Sequence, residues 1–378
     1  MDFDFSDEQK MFREEVRKAL ARACPVSEVR KVLEGQGSWA APAWDALVEQ
    51  GVTAADVAEE HGGLGLGVLE LAVAAEEVGY ALAPTPLFTS IGLALEVVRR
   101  AGSPMQQAAW MPALAQGATT ATVALGLHGV LPCLGANGTV EGELTAVPDG
   151  LSASTIYFRA MAADGAVRWC RATAESPGCE RRAQESIDPT RPLAAVKLRQ
   201  AAVDVLSGES GAEAVLQAVL QRGAVLLAFE QLGGAARALE DARKYVLDRR
   251  AFGRQIGAYQ AMKHKLVDIY TAVELARVHV YYSAWALQTQ ATELPVAAAG
   301  ARVAASQAYA LAAQEGLQAH GGFGFTWAAD CHLHYRRARW TALILGDVHT
   351  WREQLVGGLM ATGTAAVTTA DASTNAAA

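Results

Sequence analysis

The chain has few cysteines: five, odd in number and scattered at Cys24, Cys133, Cys170, Cys179 and Cys331. No disulfide framework can be read from that spacing, so reduced thiols and a cytoplasmic setting are expected. The opening Met-Asp-Phe-Asp-Phe-Ser-Asp-Glu has neither the cationic start nor the apolar stretch of a secretory leader. No uninterrupted apolar run is long enough to predict a membrane span. Positive charge is in deficit, with 32 Lys and Arg against 40 Asp and Glu, a net charge of -8. General nucleic-acid binding needs a basic surface that displaces counterions, and this balance argues against it. No internal repeat is visible, and no Ser/His/Asp or Cys/His arrangement can be argued from spacing.

What is present is length and apolar content. At 378 residues, 51% hydrophobic and 19% charged, the chain can bury a large core in two or three domains. Ser6-Asp7-Glu8-Gln9 reads as a capping box that opens a helix through Phe12, Val16 and Leu20. Further helices are expected around Trp44 to Val48, from Val68 to Ala81, and over 91–101; Ser103-Pro104 and Pro112 punctuate the stretch after them. Residues 1–118 read as a helical domain. From 119 to 206 short apolar runs alternate with turn signals such as Asn137-Gly138 and Pro148-Asp149-Gly150. Thr139 to Val147 and Ala194 to Leu198 read as strands of a small β domain. From 207 to 361 the period is helical again, with helices expected at 212–248, 260–288, 295–318 and 334–358. Short connections imply antiparallel neighbours and an up-and-down four-helix bundle. Residues 362–378 are small, polar and aperiodic, which predicts a disordered tail. The fold class is therefore mostly α with a small β domain.

The most informative stretch is Tyr245 to Gln260, Tyr-Val-Leu-Asp-Arg-Arg-Ala-Phe-Gly-Arg-Gln-Ile-Gly-Ala-Tyr-Gln. It lies between two helical patterns, and Gly253 and Gly257 break the period. The arginines thus sit at a helix end, where a guanidinium can grip a phosphate with a forked pair of hydrogen bonds. Charge and position alone favour a solvated cationic helix end.

The wider pattern says more. Arg249-x-x-Phe252-Gly253-x-x-Ile256-x-x-Tyr259-Gln260, followed by Lys263-His264-x-Leu266-x-Asp268, resembles the flavin-binding turn of the acyl-CoA dehydrogenase family. Gln318-Ala319-His320-Gly321-Gly322-Phe323-Gly324 resembles that family's Gln-x-x-Gly-Gly-x-Gly turn. Glu60-His61-Gly62-Gly63-Leu64-Gly65 is similar to its Glu-x-Gly-Gly turn. The resemblance covers most of the chain and is poorest between about 119 and 206. It implies the acyl-CoA dehydrogenase fold: an N-terminal helical domain, a middle β barrel-like domain and a C-terminal four-helix bundle. It also implies FAD as cofactor and an acyl-CoA thioester as substrate. In that chemistry a carboxylate takes the proton α to the thioester carbonyl while the β carbon passes hydride to the flavin.

The resemblance also shows what is missing. The family's glutamate base occupies one of two places. One is some two dozen residues past the Gly-Gly turn, where this chain has Ile344-Leu345-Gly346-Asp347, with Leu345 at the glutamate's position. The other lies ten residues before the glycine matched by Gly233, and is Gly223 here. Asp347 and Glu230 are the candidates if the matching slips by a turn; each also reads as a structural or solvated carboxylate. The β domain lacks the family's Thr-Glu-Pro-x-Ala-Gly-Ser-Asp-like and Trp-Ile-Thr-Asn-like segments. In this family each FAD lies between two subunits, one cradling the ring and the neighbour supplying both turns. The chain keeps the neighbour's half. That implies the partner subunit of a heteromeric dehydrogenase, of the kind actinobacteria use on steroid side chains, sharing FAD with a glutamate-bearing family member. Arg249 would meet the pyrophosphate, Phe252 would pack on the cofactor, and Gln318 with the Gly321 and Gly322 backbone would contact the adenosine side. Ile256 and Gln260 are lesser carry-overs. The rivals are a self-sufficient homo-oligomeric dehydrogenase with a displaced base and a flavin-free structural helical protein.

Smaller signals resolve otherwise. Gly63-x-Gly65-x-Gly67 follows a turn and not a strand, unlike a dinucleotide loop. Cys331-His332-x-His334 lacks zinc spacing and a second ligand cluster, so a non-ligand role is expected. Arg336-Arg337-x-Arg339 is expected to face solvent or a subunit contact.

Overall fold

The computed structural model describes residues 5–127 and 129–375. The N-terminal helices are α1 (Asp7–Ala23), α2 (Val26–Leu33), α3 (Ala41–Glu49), α4 (Val68–Tyr80), α5 (Leu95–Ala101) and α6 (Pro104–Ala115), with a π-helical segment Phe88–Ala94 leading into α5. The expected capping box forms: Gln9 N–H donates to Ser6 Oγ at 3.2 Å, and Ser6 N–H donates to Gln9 Oε1 at 3.0 Å. A second box was not foreseen. Ser103 caps α6 through Gln106, with Pro104 in the first turn. The Ser-Pro pair therefore starts a helix, because proline's missing N–H costs nothing there.

The middle domain is one eight-stranded sheet made of β1 (Ala121–Ala124), β2 (Cys133–Leu134), β3 (Thr139–Pro148), β4 (Thr155–Ala162), β5 (Val167–Thr173), β6 (Cys179–Gln184), β7 (Leu193–Ala202) and β8 (Asp204–Val205). The order is β6-β7-β3-β2-β4-β5-β8, with β1 parallel to β4. The two strands read from the sequence, β3 and β7, pair antiparallel, with Leu144 opposite Val196 and Val147 opposite Ala194. Inward residues such as Val140, Ile156, Phe158 and Val196 form a separate core. β6 carries charge at half of its positions and no clear alternation, which hid it from pattern reading.

The C-terminal helices are α7 (Ala212–Asp248), α8 (Gln260–Gln288), α9 (Leu294–Ala319), α10 (Cys331–Leu343) and α11 (Val348–Asn375). The single helix expected over 334–358 is in fact two. Gly346 takes a left-handed φ of +91° and Asp347 caps the next helix, its carboxylate accepting from Thr350 N–H at 2.8 Å. α11 continues to Asn375 across the segment whose composition suggested disorder; alanine is common there and is the strongest helix former. By length and composition α7 is the one helix among those described that could cross a membrane, and 67% of its most apolar stretch is buried. It reads as the core helix of the fold.

α4 and α7 cross at two glycines. A Cβ on Gly79 would lie 1.9 Å from Glu230 O, and one on Gly233 would lie 1.8 Å from Glu76 O. Backbone touches backbone, so the crossing that docks the N-terminal domain onto the bundle requires glycine at both. A buried charge cluster then ties all three regions. Arg337 of α10 pairs with Asp188 at 2.6 Å and with Glu230 of α7 at 3.2 Å. Arg191 also pairs with Glu230 and donates to Thr85 O at 2.9 Å. Arg337 was expected at the surface and lies in the centre instead; a sequence cannot show that two acids from other regions wait for it. Of its neighbours, Arg336 donates to Ile187 O at 3.2 Å and Arg339 to the Tyr335 hydroxyl at 3.2 Å.

Candidate functional site

Two turns project from one end of the bundle. α7 ends at Arg249, and the chain folds at once into a hairpin of β9 (Arg250–Ala251) and β10 (Arg254–Gln255). Its two-residue turn is Phe252-Gly253, with φ of +51° and +81°. Both central residues are left-handed, the geometry that matches strand twist in a tight hairpin. Glycine suits it, but phenylalanine does not, and a non-glycine residue there is strained. Phe252 is also 96% exposed. A large apolar ring held in an unfavourable conformation and left in water gains nothing within this chain.

Arg249 is exposed and makes no side-chain ion pair among the described residues. Its backbone is fixed on both sides, N–H to Tyr245 O at 2.8 Å and C=O from Ile256 N–H at 2.9 Å. Ile256 lies within the hairpin's own packing. It is partly buried against Ala242, Val246 and Ala319 beside Met262 and Leu266, and so anchors the hairpin. Gln260 is exposed as the first residue of α8.

The second turn follows α9. Gln318 is exposed near the helix end, Gly321 has φ of +60°, and a Cβ on Gly321 or Gly322 would meet nothing within 4 Å. The backbone of this turn is thus open to close approach. Tyr245 joins the two turns: its ring stacks on His320 with centroids 4.1 Å apart and lies parallel to Phe323 at 6.4 Å. Sequence reasoning assigned Tyr245 no role. Its place one helical turn before Arg249 was the available signal. Free guanidinium, exposed aromatic and unobstructed glycine backbone fit the phosphate and nucleotide end of a flavin dinucleotide.

The two positions that could hold a base lie elsewhere and touch each other. Leu345 is 2% exposed, and a Cβ on Gly223 would sit 3.1 Å from its Cδ1 and 2.6 Å from Leu93 Cδ2. Two alternative sites for one proton-abstracting carboxylate must face the same point in space, and these do. The slipped candidates have other tasks. Glu230 is 3% exposed and held by Arg191 and Arg337. Asp347 is exposed; its hydrogen bonds from Thr350 N–H and hydroxyl hold its carboxyl below the usual range.

Beside Leu345 the β domain and α10 enclose a cleft of about 400 Å³, with walls from β1, the loop after it, β3, Arg159 and Trp340. Its lining is mostly apolar. The residues of the Cys331-His332-x-His334 segment are engaged otherwise: Cys331 points its thiol at Gly324 O, His332 stacks on Trp327, and His334 Nδ1 lies 3.1 Å from the Tyr309 hydroxyl. Burial, opposed by Asp241, holds the His334 imidazole below its ordinary pKa.

Comparison with known proteins agrees with this geometry. Residues 6–118 match the acyl-CoA dehydrogenase N-terminal domain, and residues 209–359 match the acyl-CoA dehydrogenase C-terminal domain. The chain is 32% identical over 340 residues to acyl-CoA dehydrogenase IpdE2 of Mycobacterium tuberculosis, covering 90% of this chain and 93% of that one. It is 33% identical over 355 residues to IpdE2 of Mycolicibacterium smegmatis, covering 93% and 97%. Among solved structures, a variant of the Tcur3481-Tcur3483 steroid ACAD superposes with a TM-score of 0.85 at 26% identity, over 95% of this chain and 99% of that one. The ChsE4-ChsE5 complex from Mycobacterium tuberculosis superposes at 0.87 and 24% identity, with the same coverage, and shares the fold. Two domain models over more than half of the chain and relatives above 30% identity across nine-tenths of it show the family: the chain belongs to the acyl-CoA dehydrogenase family, whose members use FAD.

Proposed function

We propose that this chain is the base-deficient partner subunit of a heteromeric acyl-CoA dehydrogenase, completing an FAD site whose proton-abstracting glutamate belongs to another family member. One observation carries the reading. Both places for the base are filled by residues that take no proton, Leu345 and Gly223, and they pack on each other in the core. A leucine folded over a glycine leaves no carboxylate to abstract the α proton and no space to put one.

The turns supply the complementary half. Arg249 would hold the pyrophosphate, Phe252 would cover the cofactor, and Gln318 with the Gly321 and Gly322 backbone would reach the adenosine side. The flavin supplies hydride acceptance; these residues bind and orient it. The likeness to a two-chain steroid ACAD supports two unlike subunits and an acyl-CoA from steroid breakdown. The rival of a self-sufficient homo-oligomer with a displaced base is disfavoured by the ion pairs around Glu230 and the capping duty of Asp347. A flavin-free structural role is disfavoured by the strain and exposure of Phe252, which only an external contact can offset.

The test is co-expression with the glutamate-bearing family member whose reading frame lies nearest. The purified pair is expected to be yellow and to bleach on addition of an acyl-CoA, whereas the isolated chain is expected to carry no flavin. An isolated chain that binds FAD and oxidises an acyl-CoA by itself overturns the reading.

A further inference from the structure

The glycine turn after α9 opens the connection 320–330, which leads to α10. Three of its residues, Gly321, Gly322 and Gly324, are glycines. Glycine loses more backbone freedom on ordering than any other residue. A turn that must order itself on a ligand binds that ligand more weakly. A Cβ on Gly321 or Gly322 would meet nothing within 4 Å, so packing does not hold this backbone in place. Local hydrogen bonds give the connection its shape: Thr326 N–H and hydroxyl both return to Phe323 O, at 2.9 and 2.7 Å. They do not fix where that shape sits on the protein.

The two ends are fixed from outside. Tyr245 stacks on His320 at the near end. The far end is held by α2 of the N-terminal helices, through Arg30. Arg30 Nε donates to Asp330 at 2.9 Å, Nη1 to Trp327 O at 3.0 Å, and Nη2 to Asp330 at 2.6 Å and Ala329 O at 3.3 Å. No backbone N–H among the described residues reaches Trp327 O or Ala329 O. One planar guanidinium thus answers a carboxylate and two carbonyls at once, a pattern that a single ammonium does not match. The support behind it is firm, because Val29, Val32 and Leu33 seat α2 in the core. Arg30 and Asp330 are 300 residues apart in the chain. The next residue supplies a contrast. Lys31 carries the same charge on the same helix, yet it pairs with Glu28 at 2.6 Å and, among the described residues, makes no hydrogen bond to the connection.

We infer that Arg30 is a positioning residue for the flavin nucleotide. It fixes the far end of 320–330 to the N-terminal helices, so that the Gly321-Gly322 backbone meets the adenosine side already ordered. Arg30 acts through the connection and does not itself reach the cofactor. The inference rests on the partner reading and adds to it a residue outside both turns.

The experiment uses the flavin-stripped complex of the full chain with its glutamate-bearing partner, titrated with FAD and followed by flavin fluorescence. Arg30→Ala is expected to weaken FAD binding about tenfold, the cost of ordering a loosened turn. Arg30→Lys keeps the charge, loses the fork and is expected to weaken it about as much. Lys31→Ala is expected to leave it unchanged. In the flavin-free complex, Arg30→Ala should speed amide hydrogen exchange over 321–330 while the melting temperature stays nearly unmoved, since a partly exposed ion pair adds little to global stability. Turnover lost at limiting FAD should return with excess FAD. Unchanged FAD affinity in both Arg30 variants, an equal loss in Lys31→Ala, faster exchange spread over the whole chain, or a loss that excess FAD does not relieve would each overturn the inference. A complex that takes up no FAD with Arg30 intact defeats the partner reading, and this inference with it, before any substitution is made.

Discussion

The two ends of the proposed flavin site differ in a way that one chain makes plain. At the nucleotide end the side chains reach outward: Arg249 has no ion pair among the described residues, Phe252 is almost fully exposed, and the Gly321-Gly322 backbone faces open space. At the proton-transfer end they turn inward: Leu345 covers Gly223, and Glu230 is locked between two arginines. The outward end leaves strain and apolar surface uncovered in the isolated chain. The inward end is well packed. On the proposed reading, the fold keeps a binding half while the position of the base is repacked as core.

The contrast can be broken from the inward side first. Glu230→Ala leaves Arg191 and Arg337 buried without a shared counter-charge and is expected to destabilise the chain by about 3–5 kcal/mol, read as a lower denaturation midpoint. A variant that keeps full stability but loses activity in the pair would make Glu230 a chemical group and not a structural one. Leu345→Glu asks the reverse question. A carboxyl forced into the buried place of Leu345 beside Gly223 is expected to cost about 2–4 kcal/mol and to confer no dehydrogenation; turnover gained by this variant alone would show the inward end to be one residue from function.

The outward end is probed by Arg249→Ala. Removing a charge-assisted phosphate contact is expected to weaken flavin retention in the pair by roughly 30-fold or more, with the isolated chain's melting point unmoved. Unchanged retention on gel filtration would remove Arg249 from the pyrophosphate. Smallest is Phe252→Gly, expected to stabilise the isolated chain by about 1 kcal/mol through relief of the left-handed strain and to loosen the pair. If the isolated chain is instead destabilised, the ring has a packing role within its own subunit.

Much of this was legible beforehand, for particular reasons. The capping box at Ser6 and the strands β3 and β7 come from local chemistry and alternation, which a sequence displays; that the two strands pair came from the structure. The turn at Phe252-Gly253 was visible as a break in period, although the strain on Phe252 was not, since nothing in the residue's identity says that its φ is positive. Arg337 was misread as a surface cation because its partners, Asp188 and Glu230, come from distant parts of the chain. The helix break at Gly346-Asp347 had a stop and a cap in plain sight, and apolar periodicity carried the expectation past them.

Residue order by itself determined the succession of helices, strands and helices, the two turn motifs, and the lack of a glutamate at positions 223 and 345. Those are matters of local period and residue identity, and they need no neighbour. Only the tertiary structure decided that positions 223 and 345 meet, that Tyr245 clasps both turns, and that Glu230 is spoken for. Contacts across a hundred residues depend on how α4 and α7 cross at Gly79 and Gly233, and that closeness is a property of packed backbones that no single segment contains.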